Sequence, residues 1–98
     1  MPYIVRYSTR ASIEYQEILE YVFKNFGVVV AAKVDAYFDE VIDSIPINPH
    51  LYPYWDITEN IRRCVLSSQT TLYYRFTGEY VELIRFKGNP MGPQTIGL

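Results

Sequence analysis

The feature that most constrains the fold is a long amphipathic stretch interrupted by a single glycine. Apolar residues recur at helical spacing from Tyr15 to Phe26 and again from Val30 to Ile45. Gly27 stands between the two patterns, and glycine readily adopts the left-handed backbone that ends a helix. Pro46 lacks an amide hydrogen and restrains the residue before it, so the second pattern ends there. The spacing predicts one helix over about residues 10–25 and a second one ending near 45, joined as an antiparallel hairpin.

Strand-like sequence precedes this hairpin. Tyr3 to Tyr7 is rich in β-branched and aromatic residues, which predicts a short first strand. Ser8 or Thr9 can then cap the first helix, since a side-chain oxygen can accept a free amide at the helix start. Residues 46–60 contain three prolines and are predicted to form a loop.

The rest of the chain favours a β-meander. Residues 61–66, 70–76 and 80–87 are predicted strands with three-residue connections, and connections this short require antiparallel neighbours. Strict alternation would place Arg85 and Lys87 on the same face of the last strand as Leu83. The predicted fold class is therefore α+β. An N-terminal strand and an antiparallel helix hairpin pack on a three- to four-stranded, mostly antiparallel sheet, in a single domain over 1–98.

Charge is distributed unevenly along the chain. The net charge of −2 argues against strong attraction of the whole molecule to nucleic acid. Residues 1–61 contain four Lys/Arg and nine Asp/Glu, whereas residues 62–98 contain five Lys/Arg and two Asp/Glu. The basic residues of the second part are Arg62, Arg63, Arg75, Arg85 and Lys87. An acidic part followed by a basic part indicates two surfaces with different tasks.

Several classes of site find no support in the sequence. Cys64 is the single cysteine and falls in a predicted strand, so a small buried apolar residue is expected there and an internal disulfide is excluded. His50 has no Cys or His neighbour with which to share a metal. The longest wholly apolar run, residues 28–32, is too short to span a bilayer, and we expect no secretory leader before the first strand. We expect a cytoplasmic protein without a cofactor and without a membrane partner.

The order of these elements, with several local motifs, resembles the RelE/ParE superfamily of toxins from type II toxin–antitoxin systems. The segments on which this resemblance rests are Ser8-Thr9-Arg10-Ala11 at the helix start, Ile61-Arg62-Arg63 after the proline-containing loop, Leu72-Tyr73-Tyr74-Arg75 in the middle strand, and Val81 to Phe86 in the last strand. The resemblance covers nearly the whole chain. It implies a cognate antitoxin that wraps the toxin with a helix against the hairpin and an extended piece at the sheet.

The resemblance leaves the target open. The ParE branch poisons DNA gyrase by binding, and the RelE branch cuts messenger RNA on the ribosome. Leu66 and Pro90 stand where the ribonuclease branch, or close relatives of this sequence type, carry basic residues. We therefore predict a ParE-like toxin, with a RelE-like endoribonuclease as one alternative and a degenerate, non-toxic antitoxin-binding protein as another. A homodimer is not excluded.

The basic residues of the predicted strands are the candidate site. Cleavage of RNA needs cations, a base and an acid around the phosphate. Arg62, Arg75, Arg85 and Lys87 could supply the cations, but no base is evident beside them. The wider set predicted to bind antitoxin or target is Arg62, Arg63, Tyr73, Arg75, Arg85, Lys87 and Asn89. The competing interpretation is that these arginines pair with Glu82 and the helix acids or remain solvated.

Overall fold

The computed structural model describes residues 2–88, in which five strands form one mixed sheet. The elements are β1 (Ile4–Tyr7), α1 (Thr9–Ser44), β2 (Tyr54–Asp56), β3 (Ile61–Val65), β4 (Thr70–Phe76) and β5 (Tyr80–Gly88). The strand order is β1-β5-β4-β3-β2, with β1 parallel to β5 and the other neighbours antiparallel. The α+β class and the mostly antiparallel sheet are confirmed. The predicted strand count is wrong, because the predicted loop contains β2, in which Tyr54 pairs with Arg62.

The helical span α1 reverses direction at one residue. Gly27 has φ 88° and ψ 175°, which is not helical, while the residues on both sides are. A straight helix of 36 residues would be about 54 Å long, whereas the longest dimension of the molecule is 39 Å. Tyr15 lies against Phe38, with ring centroids 6.1 Å apart. The predicted reversal at Gly27 is therefore present. The predicted count of two helices is wrong, since α1 is one helical span without a connecting loop. We call residues 9–26 its first arm and residues 28–44 its second arm.

Ser8 joins the sheet to the start of α1. Its Oγ accepts a hydrogen bond from the amide of Ala11 at 2.9 Å, which is the predicted helix cap. The same oxygen donates to the carbonyl of Ile84 at 2.7 Å, and the Ser8 amide donates to the carbonyl of Leu83 at 3.0 Å. The first helical turn is thus fixed to the middle of β5.

The core lies between α1 and the face of the sheet turned towards it, which we call the inner face. The fully buried large side chains include Leu72, Tyr74, Val81 and Leu83 from the sheet. The buried residues that α1 adds to this core are Ala11, Phe38 and Ile42. Burial raises the pKa of Tyr74 to about 12, and its hydroxyl donates to the carbonyl of Pro49 at 2.9 Å. Cys64 is buried in the same core, as the sequence predicts.

A β-bulge changes which side chains of β5 face the core. Tyr73 pairs with Arg85 and Tyr74 pairs with Leu83, so Ile84 is an extra residue in β5. Phe86 therefore returns to the inner face with Leu72. The expectation that Arg85 shares a face with Leu83 is wrong, because alternation cannot anticipate an inserted residue. Arg85 lies with Tyr73 on the opposite side, which we call the outer face.

The two ends of the α1 hairpin differ in burial. Near the sheet, Phe38 is only 4% exposed, whereas Phe26 near Gly27 is 61% exposed. The other large exposed apolar residues around the reversal are Tyr21, Phe23, Val28, Val29 and Val30. Phe26 and Val30 follow the helical spacing of the apolar residues, as predicted. They are nevertheless exposed, because the sheet does not extend beneath this end of the hairpin. Within residues 2–88, no helix is long and apolar enough to cross a membrane.

Candidate functional site

A large open groove separates the α1 hairpin from one end of the sheet. Its volume is about 970 Å³. Its apolar lining comes from both arms and from β5, namely Ile18, Tyr21, Val22, Phe26, Val30, Val34, Tyr37, Phe38 and Phe86. The groove exists because the apolar stripe of α1 is longer than the sheet beneath it, so that part of the stripe extends beyond the sheet. An apolar groove beside the edge of a sheet can accept an amphipathic helix or an extended segment of another protein.

Glu14 organises the sheet side of this groove. One carboxylate oxygen accepts from Arg85 Nη2 at 3.0 Å and from Arg10 Nε at 3.2 Å. The other oxygen accepts the backbone amide of Phe86 at 2.9 Å. The pairing of β1 with β5 ends at Tyr7 and Leu83, so this amide belongs to the part of β5 that β1 does not cover. Glu14 therefore occupies an edge position that a strand of a partner could otherwise take.

Arg85 lies between the groove and the outer face and contributes to the lining of both. Within residues 2–88 its Nε is buried without a hydrogen-bond partner, although Nη2 is paired with Glu14. A buried donor left unsatisfied costs about 1–3 kcal/mol. Arg85 is thus held by one carboxylate and keeps unused hydrogen-bonding capacity.

The outer face carries a shallow hollow of about 120 Å³, lined by Trp55, Ile61, Tyr73, Ile84, Arg85 and Lys87. The rings of Trp55 and Tyr73 meet edge to face with centroids 5.2 Å apart. Arg63, Tyr73 and Arg85 pair in one row across β3, β4 and β5, so the hollow lies among basic side chains.

Arg62 serves the fold. Its side chain is on the inner face and is 8% exposed. Its Nη1 donates to the carbonyl of Tyr52 at 2.7 Å and to that of His50 at 3.4 Å. The guanidinium also lies 3.9 Å from the ring centroid of Tyr54. Arg62 holds the loop before β2 against the sheet, and it does not share a surface with Arg63.

The other predicted residues divide into paired and unpaired groups. Arg75 forms an ion pair with Glu82 at 3.3 Å and donates to the carbonyl of Glu59, and Arg85 pairs with Glu14. In the described part of the chain, the side chains of Arg63 and Lys87 form no ion pair or hydrogen bond and are exposed. Tyr73 is half-buried in the hollow. Asn89 lies outside the described residues.

These positions do not form one cationic wall. Facing the groove are Arg85, Lys33 and two acids, Glu14 and Glu17, so its charged rim is mixed. No group of three or more His, Cys, Asp or Glu within residues 2–88 could hold a metal ion. Within the described residues, Arg75 is engaged in an ion pair with Glu82 and Arg85 in one with Glu14.

Two features of the site were not predicted from the sequence. The first is Glu14, which appears there as one acid among several on α1. The second is the place and the apolar lining of the groove, because periodicity reveals an apolar stripe but not the length of the sheet beneath it. The sequence does contain a signal for this groove. The two apolar helix patterns are long, whereas the single strand before them is short.

Comparison with known proteins finds a solved structure with the same fold but no similar sequence. No protein-family model matches the sequence, and no curated protein matches it. A solved structure entitled "Chromosomal ParDE TA system from P. aeruginosa" contains a chain that is similar to this one with a TM-score of 0.74. The chain shares that fold. The match covers 88% of this chain and 95% of the other at 12% sequence identity, so the likeness is one of architecture. The RelE/ParE-like fold that the sequence resembles is confirmed.

Proposed function

We propose that this chain is the toxin component of a type II toxin–antitoxin system, neutralised by a cognate antitoxin protein bound in the groove. The observation that carries the proposal is an open apolar groove of about 970 Å³ between the hairpin and the uncovered end of β5. It occurs in a fold shared with a chain of a ParDE structure. A groove that combines an apolar floor with a strand edge that no other strand covers suits a partner that wraps around the domain.

The antitoxin would contact the groove in two ways. An amphipathic helix would place its apolar face against the side chains that both arms of α1 expose. An extended piece would pair with β5 beyond Leu83 and would displace the Glu14 carboxylate from the amide of Phe86. Displacement of Glu14 would also release Arg85, which an acidic residue of the antitoxin could then bind.

The toxin would act by binding, as the ParE branch does, with DNA gyrase as its target. RNA cleavage would require a base and an acid beside cations that are free to hold phosphate. Arg62 is committed to backbone carbonyls, while Arg75 and Arg85 are committed to carboxylates. This arrangement supports a protein-binding toxin over a ribonuclease.

Inducible expression in a bacterial host tests the proposal. We expect growth arrest with DNA breaks and filamentation, and full relief when the antitoxin gene, expected next to the toxin gene, is co-expressed. Cleavage of translated messages without DNA breaks would replace the gyrase target with RelE-like activity. Harmless expression, with antitoxin binding retained, would indicate a degenerate member of the same fold.

A matched pair of variants tests the groove. Val30 lines the groove, and Val28, two residues earlier in the same arm, does not. Val30→Asp places a charge in the apolar contact and should weaken antitoxin binding at least about tenfold while the toxin stays folded. Val28→Asp should leave the affinity within about twofold. Equal affinities for both variants in calorimetric titration would mean that the antitoxin binds elsewhere.

A further inference from the structure

We infer that the outer face of the sheet is a second binding surface, separate from the groove, and that it takes an acidic segment of a protein. The inference rests on the proposed function in one respect: the protein bound there would be the toxin's target, while the antitoxin occupies the groove. The surface is the hollow formed by Trp55, Ile61, Tyr73 and Ile84, with Arg63 and Lys87 beside it.

The bulge at Ile84 builds this surface. Without an extra residue in β5, Arg85 would face the core, as regular alternation predicts. With it, Arg85 joins Arg63 and Tyr73 in one row, and Ile84 lines the hollow. No element of the described chain covers this face, because α1 packs on the inner face only.

The contents of the hollow suit a protein partner. Trp55 is 53% exposed although it is the largest side chain type, and Tyr73 lies edge to face with it. Tryptophan, tyrosine and arginine are the residues that most often dominate protein–protein binding energy. The volume of about 120 Å³ is well below that of small-molecule sites, which are typically about 300–1,000 Å³. It suits one apolar side chain of a larger partner.

The charges around the hollow select an acidic segment. Arg75 and Arg85 are balanced by Glu82 and Glu14, whereas Arg63 and Lys87 have no acidic partner within residues 2–88. Two unbalanced cations beside an apolar hollow complement a segment with carboxylates on both sides of an apolar residue.

Nucleic acid fits this surface less well. Affinity for nucleic acid comes largely from basic side chains that neutralise phosphates. Here two cations are unbalanced, and the chain as a whole carries a charge of −2. A second copy of this chain could present the acids of α1, but such a head-to-tail contact would not close into a symmetric dimer.

The only tryptophan of the chain, Trp55, reports on this surface directly. The experiment titrates the purified full chain with the peptide Glu-Glu-Leu-Glu-Glu, with Lys-Lys-Leu-Lys-Lys and with a short oligouridylate, and follows Trp55 fluorescence. We expect only the acidic peptide to change the emission. The double variant Arg63→Glu, Lys87→Glu should weaken its binding at least about tenfold.

The control variant is Lys24→Glu, Val28→Glu, Val29→Glu, which makes the same change in net charge at exposed positions of α1, away from the outer face and from the groove. It should bind the acidic peptide within about threefold of the unchanged protein, because the charges are screened over that distance. Equal weakening by both variants would show bulk electrostatics and overturn the inference. Tighter binding of the oligouridylate than of the acidic peptide would also overturn it. The same holds if no probe changes the Trp55 emission, or if the emission depends on protein concentration alone.

The two proposals fail in distinguishable ways. If the chain does not arrest growth but Trp55 still reports the acidic peptide, the surface stands and the toxin assignment falls. If the chain is toxic and the Arg63→Glu, Lys87→Glu variant is equally toxic with its fold intact, the outer face is not where the target binds. In the second case the groove variant Val30→Asp should remain toxic.

Discussion

The base and the tip of the α1 hairpin have the same sequence pattern and opposite surroundings. At the base, Phe38 packs against Tyr15 and the sheet, whereas at the tip Phe26 and Val28 are exposed on arms that extend beyond the sheet. Apolar periodicity therefore shows which side of a helix prefers to be covered, but not what covers it. We assign most of the stability of the hairpin to its base and little to its tip, and the following variants test that division.

The largest expected difference is between Phe38→Ala and Phe26→Ala. The Phe38 change opens a cavity in the core and should lower the free energy of unfolding by about 3–5 kcal/mol. The Phe26 change removes an exposed ring and should stay within about 0.5 kcal/mol. Urea unfolding of both variants measures the difference. A loss above about 2 kcal/mol for Phe26→Ala would mean that the tip is packed in solution.

A smaller effect is expected at the reversal itself. Gly27 has a backbone conformation that other L-residues rarely adopt, and the space around it is open, so Gly27→Ala should cost about 1–3 kcal/mol through the backbone alone. D-Alanine introduced at the same position by chemical synthesis favours positive φ and should be neutral or stabilising by about 0.4–1 kcal/mol. If L-alanine is harmless, the tip can change conformation without affecting the base.

The smallest effect concerns the hydroxyl that fastens the two arms at the base. Tyr15 donates to Asp35 Oδ1 at 2.5 Å and contacts Asp39 Oδ1 at 3.2 Å. Tyr15→Phe should cost about 1 kcal/mol, whereas Tyr21→Phe at the tip should stay within about 0.5 kcal/mol. Thermal unfolding at neutral pH compares the two.

The same tyrosine predicts a loss of stability in alkali. Burial, together with the neighbouring carboxylates of Asp35 and Asp39, raises the pKa of Tyr15 above its ordinary value. The unfolded chain therefore releases this proton at about pH 10, while the folded chain retains it. The contribution of Tyr15 is complete below that pH and declines above it. Tyr15→Phe should reduce the alkaline loss, and an unchanged pH profile would contradict this origin.

Much of the fold could be predicted because its signals are local. Helical spacing, Gly27, the cap at Ser8 and the short connections of the meander each depend on neighbouring residues, and all of them appear in the structure. The strand β2 could not be predicted, since it consists of three residues inside a proline-containing segment and depends on pairing with β3. The parallel pairing of β1 with β5 is likewise a long-range contact.

The candidate site was less predictable for the same physical reason. Sequence identifies Arg62 and Arg63 as adjacent cations, but their alternation across the sheet buries the first and exposes the second. The bulge at Ile84 then moves Arg85 to the outer face, and only the fold brings Glu14 to it. Whether a charge is available to a partner depends on such pairings, which a linear pattern does not contain.

The position of β5 between β1 and β4 has a consequence for synthesis on the ribosome. It is translated after the other four strands, yet β1 contacts the sheet only through it. A nascent chain that stops before Tyr80 has an N-terminal strand without a neighbour and lacks one side of the groove. A protein whose proposed role is to arrest its own host thus acquires these surfaces only after the last strand of its sheet has been translated.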